Sequence, residues 1–396
     1  MQLGWIDFSK TARNKILSVL SLPELQDTVD ELGIGTIRDG FSNTFFPGSS
    51  TIQTRAKYFF IVPYALIDLE RTLPKRQADF YNQLYDIERK CGEKLVNELQ
   101  VSDGVIGVRS IKRGEWVQRK PSDIYWAGLR EYKIFLGDTL SEYCDYLYAQ
   151  EIEIKQQKDS SNVNDDKNNK LYKRSFWNIP TYTKDWFNKL DIDLSKKEAE
   201  FLKDMIISSN RDSMLSYILQ KNMKEILKCK TFEEIKTFIT LFPEKIQSDF
   251  HHAVSFSQFN YILRVLYNDI IYKHNNNEAN NFLNNHKNNL NKFAKIDINE
   301  ILVSANLYNN DVLLSDFLQD CKDAMLENNI EKLEALIVER ERDIKGDNRA
   351  RTIIGVEDKS QDDSAQIWFG GRELNYRFTD RNVKSILNDI FTGLEK

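Results

Sequence analysis

Apolar residues recur at helical spacing along most of the chain, and the breaks between repeats are marked by proline, glycine and capping residues. After a short opening segment, Leu3 to Phe8, Ser9 is placed to cap a helix through about Leu20, with Ala12, Ile16, Val19 and Leu20 on its inner side. Pro23 resets the chain, and Ile34, Ile37, Phe41 and Phe45 resume the spacing. Pro47-Gly48 is the next break. Ser50 can cap a helix there and Gln53 stands at capping-box spacing, so a helix is predicted from near Thr51 to about Leu73, bent at Pro63. Residues 59–67 are apolar nearly all round, which predicts a helix buried on most sides and serving as the spine of an N-terminal part.

Phe80, Leu84, Ile87, Cys91, Leu95 and Leu99 predict another helix over about Lys75–Leu99. Val105 to Val117 then alternates and turns around Gly114, which predicts a small β-hairpin-like element near residues 105–118. A further helix begins near Ser122. Residues 158–173 have almost nothing to bury and are expected to be a flexible linker or loop. Beyond them, Ser195 and Glu198 form a second capping box ahead of Ala199, Leu202 and Ile206. Helices follow over about Met214–Leu227, Phe232–Leu241, Phe256–Lys273, Val312–Glu327 and Ile330–Ile344. The asparagine-crowded tract His274–Lys292 is explained by a biased genome rather than a function. Glu373–Phe378 reads as a short extended piece, and Thr379 is placed to cap a last helix striped with Val383, Ile386, Leu387, Ile390 and Leu394. The pattern gives a mainly α protein of two packed helical parts, residues 1–157 and 174–396, and no repeat that would build a solenoid.

The 396 residues, 41% hydrophobic and 29% charged, are enough for two cores and polar enough for a soluble protein. A net charge of -5 argues against a surface that is basic all over, so any nucleic-acid contact is expected on one face. Cys91, Cys144, Cys229 and Cys321 are far apart, and the four histidines, His251, His252, His274 and His286, show no helix-spaced ligand motif. No metal and no cofactor is expected. With no secretory signal and no apolar run near the ~20 residues of a membrane span, the expected location is the cytoplasm, without a membrane partner.

On the predicted Thr51 helix, Arg55 falls at the edge of an apolar arc formed by Ile52, Ala56, Phe59, Phe60, Pro63, Leu66 and Ile67. An unpaired guanidinium there would cost several kcal/mol, so it should meet a carboxylate or an anionic ligand. Asp39, Asp30 and Glu31 are the nearest carboxylates in sequence. One reading is an internal ion-pair network in which Asp39 or Asp30 holds Arg55. The other is an active-site cleft, in which Arg55 binds an oxyanion and Asp39 or Asp30 acts as general base or electrostatic stabiliser. Gly33-Ile34-Gly35 is too weak a signal for a nucleotide loop, and no Walker lysine follows it.

From Arg109 to Lys120 five basic residues, Arg109, Lys112, Arg113, Arg119 and Lys120, face one acid, Glu115. Such a turn can lie against a phosphate backbone in the manner of a winged-helix wing, with Trp116 stacking on or wedging between bases. The competing reading is an exposed basic hairpin whose tryptophan packs onto its own domain. Tyr125 and Trp126 suit a core, and the free amides at the helix start near Ser122 are a further place for a phosphate. Trp5, Asp7, Tyr376 and Arg377 are candidates for the same charged network.

Leu3-Gly4-Trp5-Ile6-Asp7-Phe8-Ser9, the Asp30–Asp39 stretch, Ser50–Phe59, Gly104-Val105-Ile106-Gly107, Pro121–Trp126 and Leu374–Phe378 together resemble the motifs of an uncharacterised bacterial domain-of-unknown-function family. The resemblance spans nearly the whole chain, but from about Lys155 to Asn348 it rests on helical character alone. It implies a role in anti-phage defence loci, beside helicases and phospholipase-D-like nucleases, and brings no catalytic residues with it.

The expected function is therefore a nucleic-acid-associated component of a bacterial defence system, binding DNA or RNA through the basic element, with helicase or nuclease subunits as candidate partners. Two alternatives stand beside it. One is an enzyme acting on a nucleic-acid base or phosphodiester through Asp39, Arg55 and Asp30, and the other is a helical adaptor that assembles complex subunits.

Overall fold

Tyr58 to Arg71 forms a deeply buried helix: every residue from Tyr58 to Leu66 is buried, and Leu69 with them. Each large apolar side chain so removed from water contributes roughly 1.5–3 kcal/mol. In this computed structural model, residues 32–160, 175–271, 283–307, 312–354 and 374–396 are described. The predicted helix after Ser9, together with Trp5, Asp7, Asp30 and Glu31, lies outside them, as do residues 161–173 of the expected linker.

The described residues are mainly helical, and their one β feature is an isolated bridge between Phe135 and Trp177. The hairpin expected at residues 105–118 is absent. Val108–Ile111 is instead a short helix, closed by a turn in which Gly114 takes a φ of 77°. Its backbone groups are satisfied locally, Ile111 N–H by Gly107 O at 2.8 Å and Glu115 N–H by Ser110 O at 2.9 Å, so no ladder remains to be made.

The chain divides into two compact units, each built from separated segments. One comprises Met1–Ile37, Ser255–Asn299 and Asn309–Arg372; the other comprises Arg38–Val254, Glu300–Tyr308 and Glu373–Lys396. Neither coincides with residues 1–157 or 174–396.

In the second unit the Tyr58–Arg71 helix packs against the helices Gln77–Glu93 and Pro121–Glu131. The last helix, Val383–Glu395, lies on Lys196–Ser209, whose Ser195–Glu198 capping box forms as expected. Their approach is close at Gly393, where an added Cβ would stand 2.7 Å from Ala199 Cβ. A second core joins Phe45, Phe46, Phe232, Phe250 and Tyr376, with Phe232 ring centroids 5.0 Å from both Phe45 and Tyr376.

In the first unit the helices Val312–Leu326 and Ile330–Lys345 pack together through Leu314, Leu318, Cys321 and Met325 against Leu333 and Ile337. Glu341, fully buried, accepts from Tyr267 Oη at 2.7 Å and from the amides of Arg351 and Thr352 at 3.1 and 2.9 Å, which starts the short Arg351–Ile354 helix.

The helix predicted from Thr51 begins only at Tyr58. Its capping signal does form: Ser50 N–H donates to Gln53 Oε1 and Gln53 N–H to Ser50 Oγ, both at 3.2 Å. Propagation fails because the following backbone groups have other partners. Thr54 and Arg55 N–H donate to Tyr125 Oη at 2.8 and 3.1 Å, Ala56 N–H to Asp389 at 2.8 Å, and Asn382 Nδ2 donates to the carbonyls of Thr51 and Gln53. Arg55 therefore sits on an ordered loop rather than on the helix.

Candidate functional site

Held on that loop, Arg55 points into a cluster of aspartates. Its Nε lies 3.0 and 2.9 Å from the two carboxylate oxygens of Asp389, its Nη2 is 2.8 Å from Asp193 Oδ1, and its Nη1 reaches Asp103 O at 3.4 Å. Burial alone lowers the Arg55 pKa, but the bonds and charges of Asp389 and Asp193 outweigh it and hold it above the ordinary value. Burial keeps the Asp389 carboxyl above its ordinary value against the pull of Arg55 and the Ala56 amide. Asp193 moves the other way: its partial burial is overcome by Arg55 and Lys396, and its pKa is lowered. Beside this centre, Lys57 Nζ is 2.9 and 2.8 Å from the oxygens of buried Glu198.

The sequence expected Arg55 to meet a carboxylate, and it meets two, but they are Asp389 and Asp193. Asp39 pairs with its neighbour Arg38 at 3.1 Å, and Asp30 lies outside the described residues. Arg55 and Asp389 line a cavity of ≈ 310 Å³ with Asp103, Asp380, Lys384 and Asn388. Its two cations are already neutralised, since Lys384 pairs with Asp380 at 2.5 Å. The chemistry of this centre is thus an ion-pair lock that ties the last helix and the Asp193 segment to the loop before Tyr58. Among the described residues no group of three or more His, Cys, Asp or Glu side chains is arranged to hold a metal.

The basic element has a different character. Arg109, Lys112 and Arg113 are exposed on the short helix and turn, and Arg119 and Lys120 are half-buried. Arg113 is 3.3 Å from Glu115, whereas Arg109, Lys112, Arg119 and Lys120 make no ion pair among the described residues. Trp116 lies against Gly92 and Gly107: a Cβ on Gly92 would be 2.7 Å from its ring. Its ring therefore anchors the segment to the Gln77–Glu93 helix, and its indole nitrogen is buried without a partner.

The helix start at Ser122 is occupied from within. Glu88, buried on the Gln77–Glu93 helix, accepts from Ser122 N–H at 2.6 Å and from Ser122 Oγ at 3.1 Å. A carboxylate here takes the place that a phosphate would fill at a helix N-terminus. Burial pushes its pKa up to about 8, against the Ser122 bonds that lower it.

The chain belongs to the family of unknown function DUF6361. The family's model matches residues 1–295, which include the loop of Arg55, the basic element and Glu88 but not Asp389. No curated protein and no solved structure matches the chain. Among the described residues no helix is long and apolar enough to cross a membrane.

Sequence reasoning missed Asp389, Asp193 and Glu88 as partners. Asp389 stands inside the apolar stripe of the last helix, between Leu387 and Ile390, which was the available signal of a buried charge in need of a partner.

Proposed function

We propose that the protein is a nucleic-acid-associated component of a bacterial anti-phage defence system that holds a phosphate backbone with Arg109, Lys112, Arg113, Arg119 and Lys120. The observation that carries the reading is the set of four cations, Arg109, Lys112, Arg119 and Lys120, without an ion pair among the described residues, on a chain whose net charge is -5. Unpaired cations condense on a polyanion by releasing its counterions, and this requires no base-specific contact. Trp116, packed on Gly92, keeps the segment in place so that the cations act as a set. The defence role rests on the motif resemblance.

Binding of short DNA and RNA duplexes and single strands, titrated at several salt concentrations, tests the interface. The triple variant Lys112→Ala, Arg113→Ala, Arg119→Ala should bind more weakly and lose roughly 0.9 of salt slope on duplex DNA for each phosphate contact removed. Unchanged affinity and slope would overturn the reading. For the defence role, phage plating on hosts carrying the wild-type locus should rise when the triple variant replaces it, and equal protection by both would count against it.

A further inference from the structure

Arg377 differs from the other deeply placed cations of its unit. Arg55 has Asp389 and Asp193, Lys57 has Glu198, and Lys384 has Asp380, but Arg377 has no carboxylate partner among the described residues. Its Nη1 donates to Asn43 Oδ1 at 2.8 Å and to Ser49 O at 2.7 Å, while its Nε is buried with no partner. A guanidinium desolvated this far costs free energy that neutral acceptors do not fully return.

The surroundings supply charges of both signs. Burial is the main cause that lowers the Arg377 pKa; the charge of Asp39 opposes it, and the weaker effect of Arg38 adds to the lowering. Two guanidiniums against one carboxylate, itself bound to Arg38 at 3.1 Å, leave one positive charge unbalanced. Asn43, exposed, uses its carbonyl oxygen on Arg377, and its amide nitrogen makes no bond among the described residues.

The backbone that presents Arg377 is held in an unfavourable state. Tyr376 and Arg377 have φ of 47° and 68°, two successive left-handed residues with side chains, a conformation that such residues rarely adopt. Packing over-determines it: Tyr376 is buried, donates to Ala253 O at 2.6 Å, and sits against Phe41 and Phe232 with centroids 5.5 and 5.0 Å apart. Strain of this kind persists where the surrounding structure fixes a side chain for a task.

We infer that Arg377, Arg38 and the Asn43 amide form a subsite for a phosphate group, which supplies the anion that Arg377 lacks. A guanidinium N–H is a strong donor to phosphate oxygens, and Asn43 adds a neutral donor. This subsite does not depend on the basic element at residues 109–120. The phosphate can belong to a polynucleotide backbone or to a free phosphate or mononucleotide.

Calorimetric titration of the full chain with inorganic phosphate, with adenosine monophosphate and with a short oligonucleotide tests it, using Arg38→Gln and Arg377→Gln. Wild type is expected to bind phosphate saturably, and each variant to bind at least tenfold more weakly, while the triple variant of Lys112, Arg113 and Arg119 binds inorganic phosphate as wild type does. Arg38, half-exposed, can be changed without disturbing the core, so a failure of Arg377→Gln to fold leaves the test intact. Oligonucleotide affinity that falls with Arg38→Gln assigns the phosphate to a backbone; a fall confined to inorganic phosphate and the mononucleotide assigns it to a free ligand. Absence of saturable binding in wild type, or undiminished binding by Arg38→Gln, overturns the subsite.

Discussion

Arg55 Nε meets both carboxylate oxygens of Asp389, at 3.0 and 2.9 Å, across 334 positions of sequence. The same carboxylate accepts the Ala56 amide at 2.8 Å, so one acidic residue of the last helix fixes both the side chain and the backbone of the loop before Tyr58. Breaking such a pair leaves the survivor charged in a poorly solvated place, which is where most of the cost arises.

Arg55→Met should therefore destabilise the protein by roughly 3–5 kcal/mol in urea unfolding. Combined with Asp389→Asn, which keeps an acceptor for Ala56 N–H while removing the orphaned charge, the loss should be smaller than the sum of the two single changes. Additive losses would show that the pair is not coupled.

Gly104 faces the same side chain. Its φ is 67°, and a Cβ there would stand 2.6 Å from Arg55 Cγ and Cδ. Gly104→Ala should cost about 1–3 kcal/mol through overpacking, with the left-handed backbone adding to it. In an Arg55→Ala background the overpacking component should disappear, leaving only the backbone penalty. An identical cost in both backgrounds would rule out the contact.

Glu88 is expected to impose a pH dependence. Its pKa is raised from 4.5 to about 8 by burial, so between those values the folded state keeps a proton that the unfolded state has released. Its contribution to stability is then fully present below about 4.5, falls as pH rises and levels off above about 8. Glu88→Gln retains an acceptor for Ser122 N–H and a partner for Ser122 Oγ but cannot ionise. The variant should gain on wild type as pH increases across this window, by on the order of a few kcal/mol at its upper end. Parallel melting-temperature profiles for the two proteins would contradict this.

Trp116 is predicted to be an anchor. Gly92→Ala, whose Cβ would lie 2.7 Å from the indole, should destabilise by about 1–3 kcal/mol and loosen the basic segment, seen as faster amide exchange over residues 108–117. Trp116→Ala should cost roughly 3–5 kcal/mol. If both variants melt like wild type, the ring is not seated on the helix in solution.

The helical class was legible because 3.6-residue periodicity is a local property of the chain. The buried run Tyr58–Leu66, the Ser195–Glu198 capping box and the stripe of the Val383–Glu395 helix all depend on neighbours within a few residues. It was also legible that Arg55 must meet negative charge, since desolvation sets that requirement wherever the partner comes from. The identity of the partner was not, because Asp389 and Asp193 reach Arg55 only through the packing of segments far apart in sequence. The start of the central helix was decided the same way: Ser50 and Gln53 make their local bonds, and then Tyr125 and Asp389 take the amides that a longer helix would use. Around Val105–Val117, apolar alternation over so few residues fits either a strand or a helical turn; the turn is what forms here, with its hydrogen bonds closed locally and Trp116 seated on Gly92. Local spacing fixed which residues could be helical and which charges needed company, while long-range packing decided where helices begin and which partners meet.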